Sequence, residues 1–118
     1  MHEFALADGL VQVAQDELRK LGDPPPKPLA VHVVAGALNQ VVKESLELAF
    51  EILAADTPLA GARLVLRRIP AGGACAECGW EGSFQKPPFI CPTCDSHRVT
   101  LTTGRELYLE SLEIEDGK

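Results

Sequence analysis

Four cysteines stand in two pairs, Cys75-x2-Cys78 and Cys91-x2-Cys94, with twelve residues between the pairs. Two such knuckles at that spacing can bring four thiolates around one ion, and a tetrahedron of soft sulfur donors suits Zn(II). Gly79 follows the first pair and Pro92 lies inside the second, as tight turns that aim backbone N–H groups at sulfur require. No cysteine is left over, so a closed structural site accounts for all four. Such a site performs no chemistry. The same geometry suits an iron tetrathiolate, which is the alternative occupant. A second chemically apt group opens the sequence, Met1-His2-Glu3. Methionine is poorly trimmed before a bulky residue, which would leave His2 second in the chain. The amine of Met1, the backbone nitrogen of His2 and its imidazole can then chelate one metal through adjoining rings, with an oxygen of Glu3 close by. A nitrogen-rich, roughly planar set favours Ni(II) or Cu(II) over Zn(II). His97, shortly after Cys94, reads as a solvent-facing residue whose imidazole is a candidate additional nickel ligand.

These residues need elements to hold them. Residues 4–21 place Leu6, Leu10, Val13, Ala14, Leu18 and Leu21 at a helical period, which predicts one buried face. Gly22-Asp23 and Pro24-Pro25-Pro26 stop that helix. Leu29 to Ala35 reads as a strand with Leu29, Val31 and Val33 on one face, and His32, opposite them, is assigned no function. A second helix is predicted over 42–55 through Val42, Leu46, Ala49, Phe50 and Leu53, ending at Thr57-Pro58. Arg63 to Ile69 reads as a strand with Arg63, Arg67 and Arg68 in solvent. Glu106 to Glu115 reads as a last strand whose apolar register changes between Leu109 and Leu112, which a bulge near Ser111 would reconcile.

The expected architecture is α+β: two helices on a three-stranded sheet, with a zinc ribbon inserted before the last strand. Residues 1–70 plus 105–118 would form one domain and 71–104 the other. An insert of 34 residues is too small to fold on apolar burial alone, so a metal should supply its folding energy. Trp80 and Phe84, beside the first knuckle, are expected to cover the cage.

Charge narrows the partners. Eleven Lys and Arg against 17 Asp and Glu give −6, a poor balance for binding a phosphate backbone. No nucleic-acid partner is expected. No apolar run approaches the ~18 residues of a membrane span, and the start lacks the features of a secretion signal. The thiols therefore read as metal ligands in a reducing cytoplasm. No nucleophile elbow surrounds Ser45, Ser83, Ser96 or Ser111 and no phosphate-binding loop is present, so an enzyme is not expected.

Taken together, Met1-His2-Glu3, Leu48-Ala49-Phe50-Glu51, the two cysteine pairs, Thr103-Gly104-Arg105-Glu106-Leu107 and Ser111-Leu112-Glu113-Ile114-Glu115 resemble the HypA/HybF family of hydrogenase maturation proteins. The resemblance covers essentially the whole chain. It implies a nickel metallochaperone with an N-terminal nickel-binding domain and a zinc domain, in which His2 with Glu3 matches the nickel-binding start and Cys75, Cys78, Cys91 and Cys94 match the zinc ligands. Zn(II) would then be structural and Ni(II) the transferred cargo. The implied partners are a HypB-type nickel GTPase, which passes nickel in, and the hydrogenase large-subunit precursor, which receives it; a homodimer is left open. Where some family members carry a further acidic ligand before the second helix, this chain has Asn39-Gln40-Val41-Val42-Lys43-Glu44. There Val42 and Lys43 cannot ligate, and only Gln40 or Glu44 offers an oxygen. The competing reading is a zinc-ribbon adaptor that binds protein and delivers no transition metal.

Overall fold

The computed structural model describes residues 3–115. Among them α1 spans Glu3–Arg19, β1 Pro28–Gly36, a 3-10 turn Ala37–Asn39, α2 Lys43–Ala54 and β2 Arg63–Ile69. Then come β3 Ala71–Cys75, β4 Glu81–Phe84, β5 Val99–Thr103 and β6 Leu107–Ile114. The fold is α+β, with two helices and two three-stranded sheets ordered β2-β1-β6 and β4-β3-β5. The chain divides into two compact units. One takes in the chain up to Val34, Val41–Arg67 and the part from Tyr108 onward; the other takes in Ala35–Gln40 and Arg68–Leu107.

The first unit is built on apolar periodicity. Along α1, Ala7, Leu10, Val11, Ala14 and Leu18 are buried, and along α2 Leu46, Ala49, Phe50 and Ala54. Ala30, Val31, Val33 and Val34 of β1 share that core with Leu59 and Leu64. Each large buried side chain contributes about 1.5–3 kcal/mol of transfer energy. Two positions on the predicted face of α1 lie outside the core. Val13 is 49% exposed, because at 3.6 residues per turn it sits about 110° round the helix from the centre of the buried row. Leu21 is 55% exposed because α1 ends at Arg19. The buried row passes through Ala7 and Val11 instead, both nearly fully buried.

Strand β6 shows the change of phase read from its sequence. Leu107 and Leu109 are half-buried, Glu110 and Ser111 are both exposed, and Leu112 is half-buried again. On the sheet, Arg67 Nη2 lies 2.7 Å from Glu110 Oε2, and His32 Nε2 lies 3.1 Å from Glu113 Oε1. His32 is thus a hydrogen-bonded, partly exposed strand residue.

In the second unit β3 is central. It runs antiparallel to β4, with Ala71 opposite Phe84 and Ala74 opposite Glu81, and to β5, with Cys75 opposite Val99. Residues 35–40 are clasped to 104–106: Gly36 N donates to Glu106 O at 2.7 Å, Leu38 N to Gly104 O at 2.8 Å, and Asn39 Nδ2 to Glu106 O. The Glu106 carboxylate in turn accepts from Gly104 N. A Cβ on Gly36 would fall 2.1 Å from the Gly104 carbonyl carbon, and Gly104 itself holds φ +118. The Thr-Gly-Arg-Glu stretch is therefore a backbone clasp that only glycine permits.

Gly36→Ala should destabilise the second unit by about 1–3 kcal/mol through overpacking, read from the urea midpoint of Trp80 fluorescence. Gly9→Ala, where an added Cβ meets nothing within 4 Å in an exposed helix position, should shift the far-UV transition the other way by up to about 1 kcal/mol.

Candidate metal centre

Two turns with one backbone plan present the four thiols. In the first, Gly79 N donates to Cys75 O and Cys75 N to Trp80 O. In the second, Asp95 N donates to Cys91 O and Cys91 N to Ser96 O. Each turn closes on a left-handed residue directly after its second cysteine, Gly79 at φ +80 and Asp95 at φ +62. Glycine takes that conformation freely, and aspartate is one of the few other residues that does so at modest cost. Gly79 is legible in the sequence as a turn residue, whereas Asp95, at the same offset from its pair, carries no comparable signal.

The two turns face each other. Cys75 Sγ lies 3.6 Å from Cys94 Sγ, and Cys78 Sγ lies 3.6 Å from Cys91 Sγ, so each short pair joins opposite knuckles. All four sulfurs lie within 4.8 Å of one another. A tetrahedral ion with bonds of about 2.3 Å to sulfur needs edges of about 3.8 Å, and the cluster fits that figure. Cys75 and Cys91 are buried, Cys78 and Cys94 exposed. Between the knuckles Ala76 N donates to Arg98 O at 2.9 Å, and Arg98 Nη1 meets Glu77 Oε1 at 3.1 Å. Trp80, Phe84 and Phe89 stack edge to face with centroids 5.3 Å apart. The Trp80 ring lies over Gly82. Phe89, the third member of that cluster, carries no periodic signal in the sequence.

The thiols are already polarised for a cation. Backbone N–H groups of Cys78 and then Glu77 point at Cys75 Sγ and lower its pKa to about 6, with Cys94 and Cys91 assisting against partial desolvation. At Cys94 the Ser96 N–H pulls down, but desolvation and the other three sulfurs push the pKa up to about 12. Cys78 is raised as well: the Trp80 N–H opposes the shift, while desolvation and the sulfurs of Cys91 and Cys75 drive it.

The other sequence-derived site residues fare differently. Met1 and His2 lie outside the described residues. Glu3 is buried at the first position of α1, and its Oε2 accepts from Val42 N at 3.2 Å. His97 is exposed in the segment before β5 and lies outside the cysteine group.

Residues 1–114 match the family described as hydrogenase/urease nickel incorporation, metallochaperone, HypA. The chain belongs to the HypA family. Two relatives named hydrogenase maturation factor HypA span it almost end to end. That of Desulfosudis oleivorans is 37% identical over 98% of this chain and 100% of its own. That of Solidesulfovibrio magneticus is 40% identical over the same shares. The solution structure of the Ni metallochaperone HypA from Helicobacter pylori shares the fold, with a TM-score of 0.64 over 97% of both chains at 24% identity. HypA proteins are accessory metallochaperones of hydrogenase maturation, and this chain is accordingly not an enzyme. Among the described residues no helix is long and apolar enough to cross a membrane.

Thiolates bind metal and thiols do not, so protons and metal compete at the cluster. With Cys78 raised above 9.0 and Cys94 at about 12, both hold protons at pH 7.5 in the metal-free protein. Zn(II) loading at that pH should release at least two protons per ion, seen with a pH indicator. Affinity should fall as pH drops, most steeply once Cys75 itself protonates near pH 6. Chelation should unfold the second unit, read at Trp80, while leaving most helical ellipticity in place.

Proposed function

We propose that this HypA-family chain carries Ni(II) at its N-terminus and delivers it toward the [NiFe]-hydrogenase large-subunit precursor, while Cys75, Cys78, Cys91 and Cys94 hold a structural Zn(II). One observation carries the reading: four sulfurs close one tetrahedron. A cargo ion must then be bound by other donors. Met1 and His2, with Glu3 next to them, offer those donors, and His97 is an additional candidate ligand. Residues 71–104 act in this reading as a zinc-ribbon domain, and 1–70 with 105–118 as the nickel-binding domain. A HypB-type GTPase is the proposed source of nickel, and the cytoplasm the place of exchange.

The amine of Met1 and the nitrogens of His2 supply small chelate rings that favour a planar d8 ion. A site built from few donors also lets the ion leave. Protons compete for the same donors, at about pH 6.5 for imidazole and about 8 for the amine.

Ni(II) titration of the zinc-loaded protein should give one ion per chain, with affinity falling as pH is lowered through neutrality. Loss of an outer-shell partner costs roughly 10–100-fold in metal affinity; His2→Ala, which removes a donor, should cost at least about 100-fold, and so should an extra residue before Met1. Unchanged affinity in both variants would favour the adaptor reading.

A further inference from the structure

We infer that Glu3 is a positioning residue for the nickel site, acting as a trans cap that braces the start of α1 on the start of α2. The inference rests on the nickel-carrier reading proposed above. Glu3 is the one charged residue buried among the described residues, at 5% exposure. A buried carboxylate is tolerable only with hydrogen-bond donors around it, and no described buried side-chain oxygen or nitrogen lacks a partner. One donor is Val42 N, 3.2 Å from Glu3 Oε2.

Val42 is the N-cap of α2. It has extended backbone angles, φ −88 and ψ 116, and no side chain able to cap. Many helices solve this with a Glu or Gln at the third helical position, whose side chain turns back to the N-cap N–H. Here that position is Ser45, and the acceptor comes from α1 instead. The Glu3 carboxylate also places negative charge at the positive end of α2. Around it Glu3 and Phe4 face Ser45, Leu48, Ala49 and Ile52 across a small pocket between the start of α1 and one face of α2. The residue joined directly to His2 is thereby fixed to two helices at once.

That commitment separates two roles. A carboxylate donating to nickel must bring its charge to the ion. A brace needs only an acceptor oxygen at the same reach, which glutamine keeps, alanine lacks and aspartate presents one methylene short.

The test is Ni(II) titration of zinc-loaded wild type, Glu3→Gln, Glu3→Ala, Glu3→Asp and His2→Ala, with X-ray absorption of bound nickel and amide exchange at Val42. Glu3→Ala should bind roughly tenfold more weakly and exchange the Val42 amide faster, by analogy with lost outer-shell partners. Glu3→Gln should restore affinity and exchange together, with the wild-type nickel donor set. The inference is overturned if Glu3→Gln falls as far as Glu3→Ala and nickel loses an oxygen neighbour, which makes the carboxylate a ligand. It is also overturned if Val42 exchange accelerates in Glu3→Ala while nickel affinity holds. A His2→Ala protein that binds like wild type defeats the nickel-carrier reading itself, whatever the Glu3 variants do.

Discussion

Coordinative closure at the cysteine cluster is the constraint from which most of this molecule follows. Four sulfurs within 4.8 Å of one another leave a tetrahedral ion no open position. A closed site cannot polarise a substrate or activate water, because both need a vacant coordination position. It can supply folding energy to a unit with little apolar core. Among the described residues of the second unit, Ala35, Ala71, Cys75 and Cys91 are the apolar side chains that are buried, and the two that are not alanine belong to the cysteine cluster. Sulfur and a bound ion would replace the hydrophobic core that the sequence there does not provide.

Closure in turn depends on backbone rather than on side-chain packing. Each knuckle is a turn whose amides satisfy its own carbonyl and point toward sulfur. A left-handed residue after the second cysteine then redirects the chain, Gly79 in one and Asp95 in the other. The Gly36–Gly104 approach is the same kind of device in the same unit, since a Cβ on Gly36 would collide with the Gly104 backbone and Gly104 holds φ +118. Both features are tolerances of the backbone. They constrain residue type locally without leaving any hydrophobic period.

That distinction explains what could be read from the chain. The helices were legible because they bury apolar side chains at a helical period, and β1 because its β-branched run is buried almost throughout rather than on the one alternating face of Leu29, Val31 and Val33. The cysteine pairs were legible because ligand spacing is itself a pattern. Val13 was misplaced because two overlapping rows of apolar residues fit α1, and only the packing of small Ala7 and Val11 decides between them. Asp95, the Gly36–Gly104 clasp and Phe89 depend on contacts between distant residues or on a rare backbone angle. The trans cap from Glu3 to Val42 joins residues 39 apart. Glu3, a ligand candidate from the sequence, is also a buried part of the fold.

If the chain holds two metals as proposed, they must be kept from trading places, and geometry can do this where raw affinity cannot. Across the divalent series nickel binds most donor sets more tightly than iron or cobalt, and copper more tightly still. Affinity alone would let copper or nickel invade a flexible thiolate cluster. Here each short sulfur pair joins opposite knuckles, and each knuckle is fixed by its own backbone hydrogen bonds. The cage therefore resists flattening toward the plane that Ni(II) prefers, which favours an ion such as Zn(II) with no geometric preference of its own. Planar nitrogen donors at the other end of the chain would carry the reverse bias. They would also suit Cu(II) as well as nickel, so the donors alone cannot choose between those two. On the proposed reading, selection of nickel over copper would then rest on which ion a partner hands over, and a carrier of this design would need a dedicated supplier.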